Sequence, residues 1–160
     1  MIQIIVSTNN NQSTFMNIII IMSGGVGNRF GANIPKQYCL LNGRPVIDYV
    51  IDAAKGSKVA DKVVVVCDPS CIDYSEYLKN SGFDFAVNGK ERLDSLKSAF
   101  DHIQANYPDC ERIIILDAVA PFVTSEGVQV TMHNISDVKD IFIAEGDYDT
   151  YREVKNTLVV

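Results

Sequence analysis

The chain has 160 residues, room for one domain but not for two of ordinary size. Apolar residues make up 47% and charged residues 21%, a globular balance that excludes wholesale disorder. Fourteen basic against twenty acidic residues leave a net charge of −6 with no run of Lys and Arg, which argues against a protein that grips nucleic-acid phosphates.

In chain order, residues 1–15 pass from Ile2, Ile4, Ile5 and Val6 into a polar tract, Ser7 to Thr14, without periodicity. Such a stretch cannot bury enough surface to offset the entropy of ordering it. The expectation is a poorly ordered extension, with the domain running over 16–160 from a second methionine, Met16. Ile18–Met22 is a continuous β-branched run closed by Ser23-Gly24-Gly25, the pattern of a strand buried on both faces. Pro45 opens a helix whose apolar stripe is Val46, Ile47, Val50, Ile51 and Ala54, with Gly56 placed to close it. A second strand is expected over Val63–Cys67, a short helix over Asp73–Lys79 and a third strand over Phe83–Val87. A longer helix follows over about Arg92–Ala105, with Leu93, Leu96, Phe100 and Ile103 on one side, and a fourth strand over Ile113–Leu116. Beyond Pro121 the signal fades; Val138–Ala144 is a candidate strand. Strands alternating with helices predict an α/β fold, a doubly wound and mostly parallel sheet with helices on both faces.

No apolar run approaches the roughly 20 residues that cross a bilayer, and no Lys or Arg precedes Arg29. Cys39, Cys67, Cys71 and Cys110 form no C-x-x-C pair. A cytoplasmic protein with reduced thiols is expected.

Open α/β sheets take their ligands at the carboxyl ends of the strands. There, after the first strand, Gly24, Gly25, Gly27 and Gly31 fall within eight positions, followed by Arg29 and Lys36. Glycines let a backbone approach an anion closely, and two fixed cations meet the negative charge of a phosphoryl-transfer transition state. The loop lacks the Gly-Lys-Ser/Thr of a P-loop. It only faintly echoes a dinucleotide fingerprint, because Pro35 would break the helix that must follow. A plain glycine-rich turn with exposed charges is the remaining reading.

The run Gly24-Gly25-Val26-Gly27-Asn28-Arg29-Phe30-Gly31, continued by Ile34-Pro35-Lys36-Gln37-Tyr38 and Leu41-Asn42-Gly43-Arg44-Pro45-Val46-Ile47, resembles the signature of the polyol-phosphate cytidylyltransferases. That family includes the 2-C-methyl-D-erythritol 4-phosphate enzymes of isoprenoid synthesis and the ribitol 5-phosphate enzymes of wall and capsule synthesis. Gly89-Lys90-Glu91-Arg92-Leu93-Asp94-Ser95 and Asp117-Ala118-Val119-Ala120-Pro121-Phe122 match in the same order, and Asp149-Thr150 more weakly.

The resemblance implies a Rossmann-like nucleotidyltransferase fold in which a polyol phosphate attacks the α-phosphorus of CTP, releasing pyrophosphate and a CDP-polyol. It assigns nucleotide binding to Ser23, Gly24, Gly25, Gly27, Gly89, Arg92 and Ser95, catalysis to Arg29 and Lys36, polyol-phosphate binding to Thr150, and Mg²⁺ to Asp117. It also implies a homodimer. Each residue has a plainer reading beside this one: a charged first helical turn for Glu91 and Arg92, a helix-surface serine for Ser95, a strand-end cap for Asp117. Two departures stand out. Ala120 occupies the position of an arginine that binds the substrate phosphate, and the chain ends before the family's C-terminal portion. A CTP-binding remnant with a regulatory or assembly role, and an NAD(P)-dependent oxidoreductase, are the alternative functions.

Overall fold

The longest β-branched runs become the strands of one parallel sheet. The computed structural model describes residues 16–25 and 34–134. Within them, β1 (Met16–Ser23) is followed by a small hairpin, β2 (Leu40–Leu41) and β3 (Arg44–Pro45), and by α1 (Val46–Ser57). Then come β4 (Lys62–Cys67), α2 (Glu76–Lys79), β5 (Asp84–Val87), α3 (Arg92–Asn106), β6 (Cys110–Asp117) and α4 (Ser125–Asn134). The main sheet has the order β5-β4-β1-β6, all parallel, with Ile20 of β1 opposite Val64 of β4 and Ile115 of β6.

Ile18–Met22, Val63–Cys67 and Ile113–Leu116 are apolar at every position because both faces of the sheet are covered. Ile19, Ile21, Val63, Val65, Ile114 and Leu116 pack with α1, α2 and Val128 of α4. Ile18, Ile20, Met22, Val64, Val66, Ile113 and Ile115 pack with Leu96, Ala99, Phe100 and Ile103 of α3. Ile18 to Ile21 are all 0% exposed, which no half-solvated strand would show. The expected doubly wound α/β architecture is present.

Three details differ from the sequence reading. Gly56 does not close α1. Lys58 does, in the left-handed region at φ 55°, its N–H bonding to the Lys55 carbonyl. Gly56 is small for another reason: a Cβ there would run into Ser125 Oγ of α4. The helix expected over Asp73–Lys79 is split, because a 3-10 stretch, Pro69–Tyr74, ends first and Ser75 then caps α2. The Ser75 hydroxyl accepts from the Leu78 N–H at 2.9 Å and donates to the buried Asp48 carboxylate at 2.6 Å, two demands that fix the break. Finally, α4 emerges where the signal had faded. It docks on α1 through buried Val128, and the Gln129 amide donates to the Ser57 carbonyl at 2.8 Å. The expectations for residues 1–15 and 138–144 lie outside the described residues.

At the end of the sheet opposite the strand carboxyl ends, Asp84 of β5 accepts from the Tyr107 hydroxyl and lies 3.1 Å from His102 Nε2, tying the end of α3 to the sheet. The Tyr107 hydroxyl, and after it His102, hold the Asp84 carboxyl below the usual carboxylate range. A depressed folded-state value adds stability that is present above the unfolded value near pH 4 and is lost as pH falls through the folded one. Asp84→Asn is therefore expected to cost about 1 kcal/mol in urea unfolding at pH 6, the gap from the parent closing towards pH 3. A gap that stays constant with pH would refute this.

Candidate active site

The chain steps outward from β1 to β4 to β5, then returns to lay β6 on the other side of β1. This reversal puts the switch point between β1 and β6, where open α/β sheets hold their ligands at the strand carboxyl ends. A cleft lies there. The end of β1 contributes Ser23, Gly24 and Gly25, and the turn after residue 35 contributes Lys36 and Gln37. The β5–α3 connection contributes Gly89 to Arg92 with Ser95, and the end of β6 contributes Asp117 to Val119. The structure thus brings together Ser23, Gly24, Gly25, Lys36, Gly89, Arg92, Ser95 and Asp117, which the sequence places in four separate segments. Gly27, Arg29 and Thr150 lie outside the described residues.

Local chemistry explains how each wall is held. The turn Lys36–Tyr38 buries Gln37 and Tyr38 and leaves Lys36 exposed beside the cleft. The Tyr38 hydroxyl meets Ser23 Oγ at 3.1 Å, bracing the end of β1, and burial pushes the Tyr38 hydroxyl pKa well above its ordinary value. On the opposite wall, the Gly89 N–H donates to Ser95 Oγ at 2.9 Å and the Ser95 hydroxyl donates to the Glu91 carbonyl at 3.2 Å. Ser95 is buried, so it is not the helix-surface serine of the plainer reading. Its hydroxyl shapes the Gly89 turn. The Asp94 carboxylate accepts the Glu91 N–H at 3.1 Å and opens α3. Gly24 is needed because a Cβ would come 2.7 Å from Asn88 Cβ, whereas a Cβ on Gly25 would meet none of the described residues within 4 Å.

Asp117 is both a cap and a candidate ligand. Its Oδ1 accepts the Val119 N–H at 3.0 Å, and its Oδ2 lies 3.7 Å from Arg92 Nη1 on the facing wall. An ion pair this long and this exposed holds its partners weakly, so a phosphate or metal can replace either one. Lys36 and Lys90 have no carboxylate within ion-pair distance among the described residues. No group of three or more His, Cys, Asp or Glu side chains could cage a metal among those residues. One carboxylate with unused lone pairs suits Mg²⁺, which takes one or two carboxylates and fills its shell with phosphate oxygens and water. The donor set fits that ion in company with a phosphate ligand. Cys67, buried at the end of β4 with its thiol pushed up to about 12, is a packing atom and no nucleophile.

The sequence reading passed over Gln37, Lys90, Asn88 and Val119. Lys90 carried a usable signal, a cation inside a motif already singled out. The others act through amide contacts that no spacing rule reveals.

Residues 17–160 match the family described as IspD, 2-C-methyl-D-erythritol 4-phosphate cytidylyltransferase. The chain is 39% identical to the Chlamydia pneumoniae protein of that name over 105 residues, which are 66% of this chain and 46% of the relative. Against the Clostridium perfringens SM101 protein of that name it is 32% identical over 117 residues, 70% and 50% of the two chains. The chain spans about half the length of these curated relatives. Among solved structures, 4-diphosphocytidyl-2C-methyl-D-erythritol synthase from Anaerococcus prevotii superposes with a TM-score of 0.61 at 19% identity, over 77% of this chain and 52% of that one. A CMP:2-keto-3-deoxy-manno-octonic acid synthetase complexed with CTP superposes at 0.58 and 16% identity, over 76% and 48%. At these identities the two structures speak for the fold alone. Among the described residues no helix is long and apolar enough to cross a membrane.

Proposed function

The chain belongs to the 2-C-methyl-D-erythritol 4-phosphate cytidylyltransferase family, and on that footing we propose that it binds CTP in the β1–β6 cleft and transfers CMP to a polyol phosphate, 2-C-methyl-D-erythritol 4-phosphate before ribitol 5-phosphate. A phosphate oxygen of the polyol attacks the α-phosphorus of CTP. The bond to the bridging oxygen breaks, and pyrophosphate leaves with the electron pair. One observation carries the reading: a glycine-built strand end, Lys36 with no ion-pair partner among the described residues, and the Asp117 carboxylate line one cleft at the topological switch point.

In this scheme the Gly24 and Gly25 amides and Lys36 meet the phosphates, and Gly89 and Ser95 shape the wall that takes the cytosine. Arg92 leaves Asp117 for a phosphate, and Asp117 would hold Mg²⁺. Bound there, the ion would supply charge neutralisation on the phosphate oxygens. Gly27, Arg29 and Thr150 keep the roles that the resemblance gives them, and a homodimer in the cytoplasm is part of the same proposal.

Calorimetric titration tests it. CTP with Mg²⁺ is expected to bind saturably, and Asp117→Asn should remove at least tenfold of the Mg²⁺-dependent gain in affinity. Incubation with CTP and the polyol phosphate should release pyrophosphate. Absence of saturable CTP binding would overturn the proposal. A second reading, CTP binding without transfer, is favoured by the missing guanidinium at Ala120. Binding with no pyrophosphate release would select it.

A further inference from the structure

Glycine loops bind anions through N–H groups, yet nothing in a glycine prevents its peptide units from turning over and presenting carbonyls instead. Here two side-chain amides supply that restraint. Gln37, only 2% exposed, donates from Nε2 to the Ser23 carbonyl at 2.8 Å and to the Gly25 carbonyl at 3.1 Å. Asn88 donates from Nδ2 to the intervening Gly24 carbonyl at 3.3 Å, with the Gly89 carbonyl at 3.5 Å. Both amide orientations are settled by chemistry, since the flipped forms would set an oxygen against two carbonyl oxygens.

Three successive carbonyls of the strand end are thereby occupied, and among the described residues neither the Gly24 nor the Gly25 N–H meets an acceptor. A trans peptide sets each N–H opposite its own carbonyl. Holding the Ser23 carbonyl on Gln37 therefore turns the Gly24 N–H away from Gln37, and holding the Gly24 carbonyl on Asn88 turns the Gly25 N–H away from Asn88. We infer that Gln37 and Asn88 are positioning residues that pin back the carbonyls of Ser23, Gly24 and Gly25, so that the strand end offers N–H groups to the phosphates of a bound nucleotide. The inference deepens the CTP reading of the cleft and rests on it.

Gln37→Glu is the decisive variant, because a carboxylate of nearly the same shape cannot donate and repels both carbonyls. Binding of CTP and of cytidine is measured for parent and variant, with circular dichroism to verify the fold. The expected result is a loss of at least tenfold in CTP affinity with cytidine affinity unchanged within twofold. The loss should shrink at pH 5 as the new carboxyl gains a proton and a donor, whereas for Gln37→Ala it should be independent of pH. Should Gln37→Glu not fold, Gln37→Met and Asn88→Ala carry the same comparison. Equal losses for CTP and cytidine, or no loss, would overturn the inference alone. A parent that binds neither ligand would overturn the nucleotide reading and this inference with it.

Discussion

Lys36→Ala is expected to lower kcat for cytidylyl transfer about 100- to 1,000-fold, the usual cost of removing one preset donor to developing oxyanion charge. The position explains the size of the effect. Gln37 and Tyr38 are buried beneath the turn, so Lys36 is held at the rim on an anchored base while its ammonium stays exposed and free of any carboxylate among the described residues. A free ammonium spends nothing on leaving a partner when charge builds up on the departing pyrophosphate. The effect should fall on kcat more than on KM for CTP, since an interaction that strengthens in the transition state adds little to ground-state binding. Lys36→Arg should recover only part of the rate, because a planar fork does not place its charge where a compact ammonium does. Stopped-time assays of pyrophosphate release would measure both. An unchanged kcat in Lys36→Ala would remove this residue from the chemistry.

Gly89→Ala is expected to destabilise the fold by about 3 kcal/mol and to weaken CTP binding with it. A Cβ at residue 89 would overlap Asp94 Cβ and come 2.9 Å from the Asp94 carbonyl carbon, in the first turn of α3. Backbone in a helix cannot step aside as a side chain can, so the turn or the helix must shift. Either movement breaks the Gly89–Ser95 hydrogen bond and uncouples the wall assigned to the cytosine. Gly25→Ala is the control, expected to stay within about 0.5 kcal/mol of the parent because its Cβ meets none of the described residues within 4 Å. Urea unfolding of both variants separates the two outcomes. Equal stabilities would show that the β5–α3 connection is looser than its packing implies.

The parallel core was legible because a strand covered on both faces must be apolar at every position, and Ile18–Met22 and Val63–Cys67 are. The glycine cluster and Lys36 stood out for a chemical reason, since bare amides and a fixed cation are what an anion site at a strand end needs, whereas Asp117 came from the family resemblance alone. The hairpin was not read although its signal was present. Asn42 and Gly43, at φ 50° and 79°, make the tight turn that an Asn-Gly pair favours, but two residues on each side are too few to show alternation. The helix α4 escaped because, among its described side chains, Val128 alone is fully buried, and the helix docks in the space left by Gly56. Gln37 and Asn88 escaped because a side-chain amide bound to a carbonyl in another segment has no sequence period.

The arrangement of β1 bears on how the protein is made. Its neighbours in the sheet come from later parts of the chain: Ile20 lies beside Val64 on one side and Ile115 on the other. During synthesis the glycine-rich segment therefore leaves the ribosome long before Asp117, the carboxylate that must face it. A nascent polypeptide arrested before the sixth strand would carry the Gly24–Gly25 strand end and the β5–α3 connection but not Asp117, so the proposed nucleotide meets its full set of partners only once translation has passed that strand.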